Sequence, residues 1–109
     1  MEEVLDRLDD IAQKYDFIYR CKRSHWFYVQ KKSVIKLVFY YYAKKNYVAF
    51  WISTQWTTIH DQYPMLKVVA DEVWKSTLKW KLYDVDDIQK KWIIEIIWLC
   101  ADYYWVKLK

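Results

Sequence analysis

Four groups of residues in this 109-residue chain have side chains that could do chemistry. Cys21 and His25 are the types of a thiol nucleophile and its base, and His60 beside Asp61 those of a base and its orienting carboxylate. Asp84, Asp86 and Asp87 are oxygen donors of the kind that hold a divalent cation. Asp71-Glu72 with Lys75 has the acid and lysine content of some nucleases. Each group also has a plainer reading. Alternation puts Cys21 on the apolar side of a strand, adjacent residues such as His60 and Asp61 need not face one another, and acids at a helix start act as caps. The Asp84 cluster lacks the spacing and the glycine of a calcium loop, and Asp71-Glu72-Lys75 lacks nuclease spacing. With Gly 0 in the composition, no glycine loop can cradle a phosphate. The expectation is binding without catalysis, metal or cofactor.

The signal for binding is charge and aromaticity in the same segment. Residues 1–16 hold six acids against Arg7 and Lys14, whereas residues 17–55 hold eight bases and no acid; the remainder is balanced. A one-sign field of this kind attracts polyanions. Aromatics are abundant, with Trp 8, Tyr 11 and Phe 4. Strand alternation puts Ile35, Leu37, Phe39 and Tyr41, with Val48, Phe50 and Ile52, on a core face. The opposite face then carries Lys36, Val38, Tyr40 and Tyr42 beside Tyr47, Ala49 and Trp51, joined by Arg20 and Lys22 from an earlier strand and Lys79 and Lys81 from a later one. Rings that stack on bases and cations that follow phosphates are the elements of a single-strand binding surface. The candidate nucleic-acid-binding residues are therefore Arg20, Lys22, Lys36, Tyr40, Tyr42, Tyr47, Trp51, Lys79 and Lys81. The sheet of an RNA-recognition module uses the same physics, but its aromatic-glycine motif is absent here. The competing reading is that these rings form a dimer seam or a site for a protein partner.

The elements that must position this face can be read from periodicity. Val4, Leu5, Leu8, Ile11, Ala12 and Tyr15 recur at helical spacing with acids on the other side, so the chain opens with a helix. From Phe17 the period is two, and residues 17–22, 25–30, 33–43 and 47–54 read as antiparallel strands. Ala43-Lys44-Lys45-Asn46 is the expected hairpin turn, with Asn46 left-handed in place of glycine. Pro64 opens a helix to about residue 75, after a loop over residues 57–63. Residues 77–83 alternate as a further strand. Asp84 then caps a long helix over residues 85–106, apolar nearly all round, which must be covered by more than the sheet. The fold expected is one α+β domain over residues 1–109: N-terminal helix, antiparallel sheet of about four to five strands, short helix before the last strand, and long C-terminal helix.

Cys21 and Cys100 sit apart in apolar patterns and read as reduced core residues. The acidic, periodic start MEEVLDRLDD is not a targeting peptide, so the cytoplasm is the expected location. The apolar run over residues 92–106 is shorter than the ~20 residues a membrane span needs and contains Glu95 and Asp102, so no membrane is expected. A widely apolar last helix suggests a homodimer. In style, a short glycine-free chain rich in Lys, Ile, Tyr and Trp resembles orphan accessory proteins of archaeal viruses and plasmids, which implies a host or partner protein as the alternative ligand. No motif carries that resemblance, and it assigns no residue.

Overall fold

A computed structural model describes residues 1–55 and 58–109 of the chain. The acidic N-terminus forms α1 (Glu2–Ala12), which buries the Val4, Leu8 and Ile11 stripe and keeps Glu2 and Glu3 in its first turn, at the positive end of the helix dipole. The period-two region becomes β1 (Ile18–Cys21), β2 (His25–Lys31), β3 (Val34–Ala43) and β4 (Val48–Ser53). There follow α2 (Ile59–Gln62), α3 (Met65–Val69), β5 (Glu72–Val73), β6 (Thr77–Leu82), α4 (Asp86–Lys90) and α5 (Ile93–Tyr103). The strands make one antiparallel sheet in the order β1-β2-β3-β4-β6-β5. This is the expected α+β class, with six strands in place of four or five.

The helices and one face of the sheet share a single core. Val4, Leu8 and Ile11 of α1 and Ile93, Ile96, Ile97 and Cys100 of α5 pack with Phe27, Phe39, Phe50, Ile52, Leu78 and Trp80. Across the strands Phe27 and Phe39 stack at 4.5 Å, and Phe50 meets Trp80 edge-on at 5.9 Å. Fully burying a side chain of this size contributes about 1.5–3 kcal/mol, which explains why the helices gather on this face. Among the described residues no helix is long and apolar enough to cross a membrane.

Several expectations are corrected. The register between β2 and β3 shifts at Phe27/Tyr28: Phe27 pairs with Phe39 and Tyr28 with Leu37, which leaves Val38 as an extra residue. A bulge of this kind inverts the faces beyond it. Val38 is consequently buried, Ile35 is 45% exposed, and Lys36 pairs with the buried Val29, on the helix-covered side. The expected core positions Ile35 and Leu37, and the expected outward Lys36, are thus misassigned. Cys21, at the end of an edge strand, is exposed, while Cys100 is buried; both are free thiols.

The long C-terminal helix is interrupted by Trp92, whose left-handed backbone (φ 59°) separates α4 from α5. The break lets Lys91 bond the Lys81 carbonyl at 2.7 Å and the Asp71 carboxylate at 2.8 Å, while Ile93 turns into the core. The helix opened by Pro64 ends at Val69, because Ala70 is extended and the Asp71 N–H donates to the Lys79 carbonyl at 2.9 Å, docking β5 on β6. The expected loop over residues 57–63 contains α2; its first residue, Thr57, and the preceding Trp56 lie outside the described residues. The β3–β4 hairpin closes through Lys44 N–H to the Tyr47 carbonyl at 2.7 Å. Asn46 is not left-handed; among the described residues that conformation falls to Lys32, Trp92 and Trp105.

Candidate functional site

The antiparallel registers align one residue from each strand into a row across the outer face: Arg20, Trp26, Tyr40, Trp51, Lys79 and Glu72. Directly opposed side chains share a face. Since Phe27, Tyr41, Phe50 and Trp80 belong to the core, their neighbours in this row point away from it. Trp26 stacks on Tyr40 at 4.5 Å with 20° between planes, and Tyr40 lies parallel to Trp51 at 5.9 Å and 8°. Trp51 meets Trp74 at 6.2 Å and donates its indole N–H to the Tyr42 hydroxyl at 3.2 Å. The rings follow one another because strand spacing is close to a stacking distance. Burial among these neighbours pushes the Tyr40 hydroxyl up to about 12, with Tyr42 adding to the rise.

The cations on this face are of two kinds. Lys79 is only 8% exposed: its ammonium lies 4.9 Å from the Trp51 ring centre and 5.3 Å from that of Tyr47. It also donates to the Tyr47 hydroxyl at 3.2 Å and faces Glu72 at 3.7 Å. Lys81 pairs with Glu72 at 3.1 Å, and this ammonium is the main reason the Glu72 carboxyl is held below its usual range. Arg20, Lys22 and Lys44, in contrast, have no carboxylate within 4.0 Å among the described residues. Arg20 lies 5.5 Å from the Tyr28 ring centre and Lys44 5.5 Å from that of Tyr42.

Of the nine residues expected at the site, Arg20, Tyr40, Tyr42, Trp51, Lys79 and Lys81 share the outer face through the registers. Tyr47 joins them through its contacts with Lys79 and Lys81, and Lys22 lines a cavity with Arg20 and Trp26. Lys36 is separated from them by the bulge. Trp26, Tyr28, Trp74 and Tyr83 were missed. Trp26 alternates with the core residue Phe27, which was a usable signal; its place next to Tyr40 depends on register, which was not.

The residues read as catalytic or metal-binding candidates have close polar neighbours. Cys21 and His25 are register partners, but His25 Nδ1 lies 2.7 Å from the Tyr19 hydroxyl and 3.2 Å from Asp9, and the Tyr41 hydroxyl donates to the same Asp9 carboxylate. This cluster ties α1 to the sheet edge. His60 Nε2 lies 3.5 Å from Asp61 within α2. Asp84 and Asp87 exchange N–H to carboxylate bonds at 3.2 and 3.4 Å, a capping arrangement ahead of α4. Asp71 accepts from the Lys81 N–H at 2.7 Å. Among the described residues no cluster of three or more His, Cys, Asp or Glu is arranged to hold a metal ion.

The fold and the face together define an α+β protein with an aromatic, cation-bearing outer sheet surface. Comparison with known proteins finds no matching family, curated protein or solved structure.

Proposed function

We propose that this chain is a non-catalytic binding protein of the cytoplasm that holds single-stranded nucleic acid against the outer face of its sheet. The observation that supports this reading is the row Arg20–Trp26–Tyr40–Trp51, lying on a face that bears no helix among the described residues and adjoining the unpaired Arg20, Lys22 and Lys44. Tyr40 has ring neighbours on both sides, Trp26 and Trp51, so bases stack at the ends of the row, each contributing about 1–3 kcal/mol whatever the base, and unpaired cations add affinity by releasing counterions from phosphates. The test is fluorescence anisotropy of a labelled mixed-sequence single strand at low and moderate salt, with a duplex control. Submicromolar single-strand binding that weakens at least about tenfold with salt is expected; absence of binding at both salts refutes the reading.

A second reading is a protein partner docking on the same face. The observation favouring it is Glu72, which pairs with both Lys79 and Lys81 and leaves the β4–β6 end rich in rings and poor in net charge. Trp74 and Tyr83 there are 55% and 52% exposed, the composition of interface anchors. In that case Tyr40→Ala and Trp51→Ala weaken capture of the partner more than Arg20→Met does, with little effect of salt. We also propose a homodimer through α5 and the break before it, where Trp98 and Trp92 are more than half exposed beside Met65. Sedimentation equilibrium tests it, and a monomer at high micromolar concentration refutes it.

A further inference from the structure

The row of rings ends at the β1 edge in a cavity of about 490 Å³ lined by Arg20, Cys21, Lys22, Trp26 and Tyr28. No acid lines it, and neither Arg20 nor Lys22 has a carboxylate within 4.0 Å among the described residues. Trp26 has one ring neighbour among the described residues, Tyr40 at 4.5 Å, which occupies one of its faces. Its other face is turned toward β1. The residue paired with Trp26 on β1 is Arg20, yet the Arg20 guanidinium lies over Tyr28 at 5.5 Å and not over the indole. Since β1 is the edge strand, no further strand covers that side. The cavity is an open groove at the sheet edge that offers a free aromatic face beside two unpaired cations.

We infer that this cavity takes one nucleoside monophosphate unit, with the base on the free face of Trp26 and the phosphate between Arg20 and Lys22. The inference deepens the nucleic-acid reading and rests on it. The β1 end of the row carries Arg20 and Lys22 without a carboxylate partner, whereas at the other end Glu72 pairs with Lys79 and Lys81, so the dianionic terminal phosphate of a strand is drawn to the β1 end. A free nucleotide has the same chemistry as that terminal unit, and the test separates the two sources.

Binding is read by isothermal titration calorimetry of the full chain with AMP, adenosine or inorganic phosphate, and with a single-stranded oligonucleotide bearing or lacking a 5′-phosphate. AMP is expected to bind at least about tenfold more tightly than adenosine or phosphate, the factor set by one stacked base. Trp26→Ala is expected to weaken AMP binding by about the same factor. Arg20→Met, on the exposed edge and harmless to the core, is expected to remove the advantage of AMP over adenosine and of the phosphorylated over the unphosphorylated strand. AMP binding that Trp26→Ala weakens, with no preference between the two strands, assigns the cavity to a free nucleotide. Phosphate binding as tight as that of AMP overturns the stacking half of the inference. If the oligonucleotide binds by anisotropy yet AMP does not bind and a 5′-phosphate confers no advantage, the cavity inference fails and the platform reading stands. If no oligonucleotide binds at all, the platform reading itself has failed.

Discussion

Replacing Lys79 by Met separates a lysine that belongs to the packing of the face from lysines that face solvent. Its ammonium is enclosed by Trp51 and Tyr47 at 4.9 and 5.3 Å and by Glu72 at 3.7 Å, so a phosphate cannot reach it without displacing those groups. For single strands the logarithm of affinity falls by about 0.7 per phosphate contact for each tenfold rise in salt. If Arg20, Lys22 and Lys44 each neutralise one phosphate charge, raising salt from about 50 to about 200 mM weakens binding about 20-fold. Arg20→Met removes one contact and reduces that loss to about 7-fold, whereas Lys79→Met leaves it at about 20-fold. Stability should change little as well. A cation–π contact contributes about 0.5–2 kcal/mol, but removing a buried ammonium recovers its desolvation cost, and Met keeps the packed stem, so the net effect is within about 1 kcal/mol. Glu72 retains Lys81 at 3.1 Å. The assay is anisotropy across a salt series for both variants, with melting followed by circular dichroism. A salt slope that falls as far for Lys79→Met as for Arg20→Met refutes the reasoning, as does a melting temperature lower by more than about 10 °C.

Three further outcomes follow from the burial and hydrogen bonds described. Tyr41→Phe removes the hydroxyl that donates to the partly exposed Asp9, and a loss of about 1–2 kcal/mol in urea unfolding is expected for a hydrogen bond to a charged acceptor with some access to water; an unchanged midpoint counts against the cluster as an anchor. Ile97→Ala, at a position 0% exposed, should destabilise by about 2–5 kcal/mol while leaving the affinity of the still-folded protein unaltered, which paired denaturation and anisotropy check. Burial pushes Tyr40 up to about 12 and raises Tyr19 and Tyr41 further, against about 10 in the unfolded chain. Their neutral forms therefore support the fold fully below about pH 10 and lose that contribution as pH rises through the folded values. Absorbance at high pH should show a late-titrating class of tyrosines together with unfolding, and uniform titration of all tyrosines near pH 10 with the fold intact contradicts this.

The α+β class, α1, the strand-rich middle and the last strand were legible because hydrophobic period is a local property: Val4, Leu8 and Ile11 mark a helix stripe, and Leu78, Trp80 and Leu82 mark a strand face, without reference to any other element. The charge bias of residues 17–55 and the alternation of Tyr40, Tyr42, Trp51, Lys79 and Lys81 likewise placed most of the outer face. What failed depended on partners distant in sequence. Alternation carried past Val38 assigns Lys36 to the wrong side, since a bulge exists only in relation to the paired strand. The break at Trp92 and the docking of β5 are held by Lys91, Asp71 and Lys81, which lie 10 and 20 residues apart, beyond any local signal. The sequence by itself determined which residues could form a basic aromatic face. Only the tertiary structure decided that Lys79 is enclosed there while Arg20 and Lys22 stay free, because exposure is set by the register of strands and the rings it brings together, and neither is encoded within a single strand.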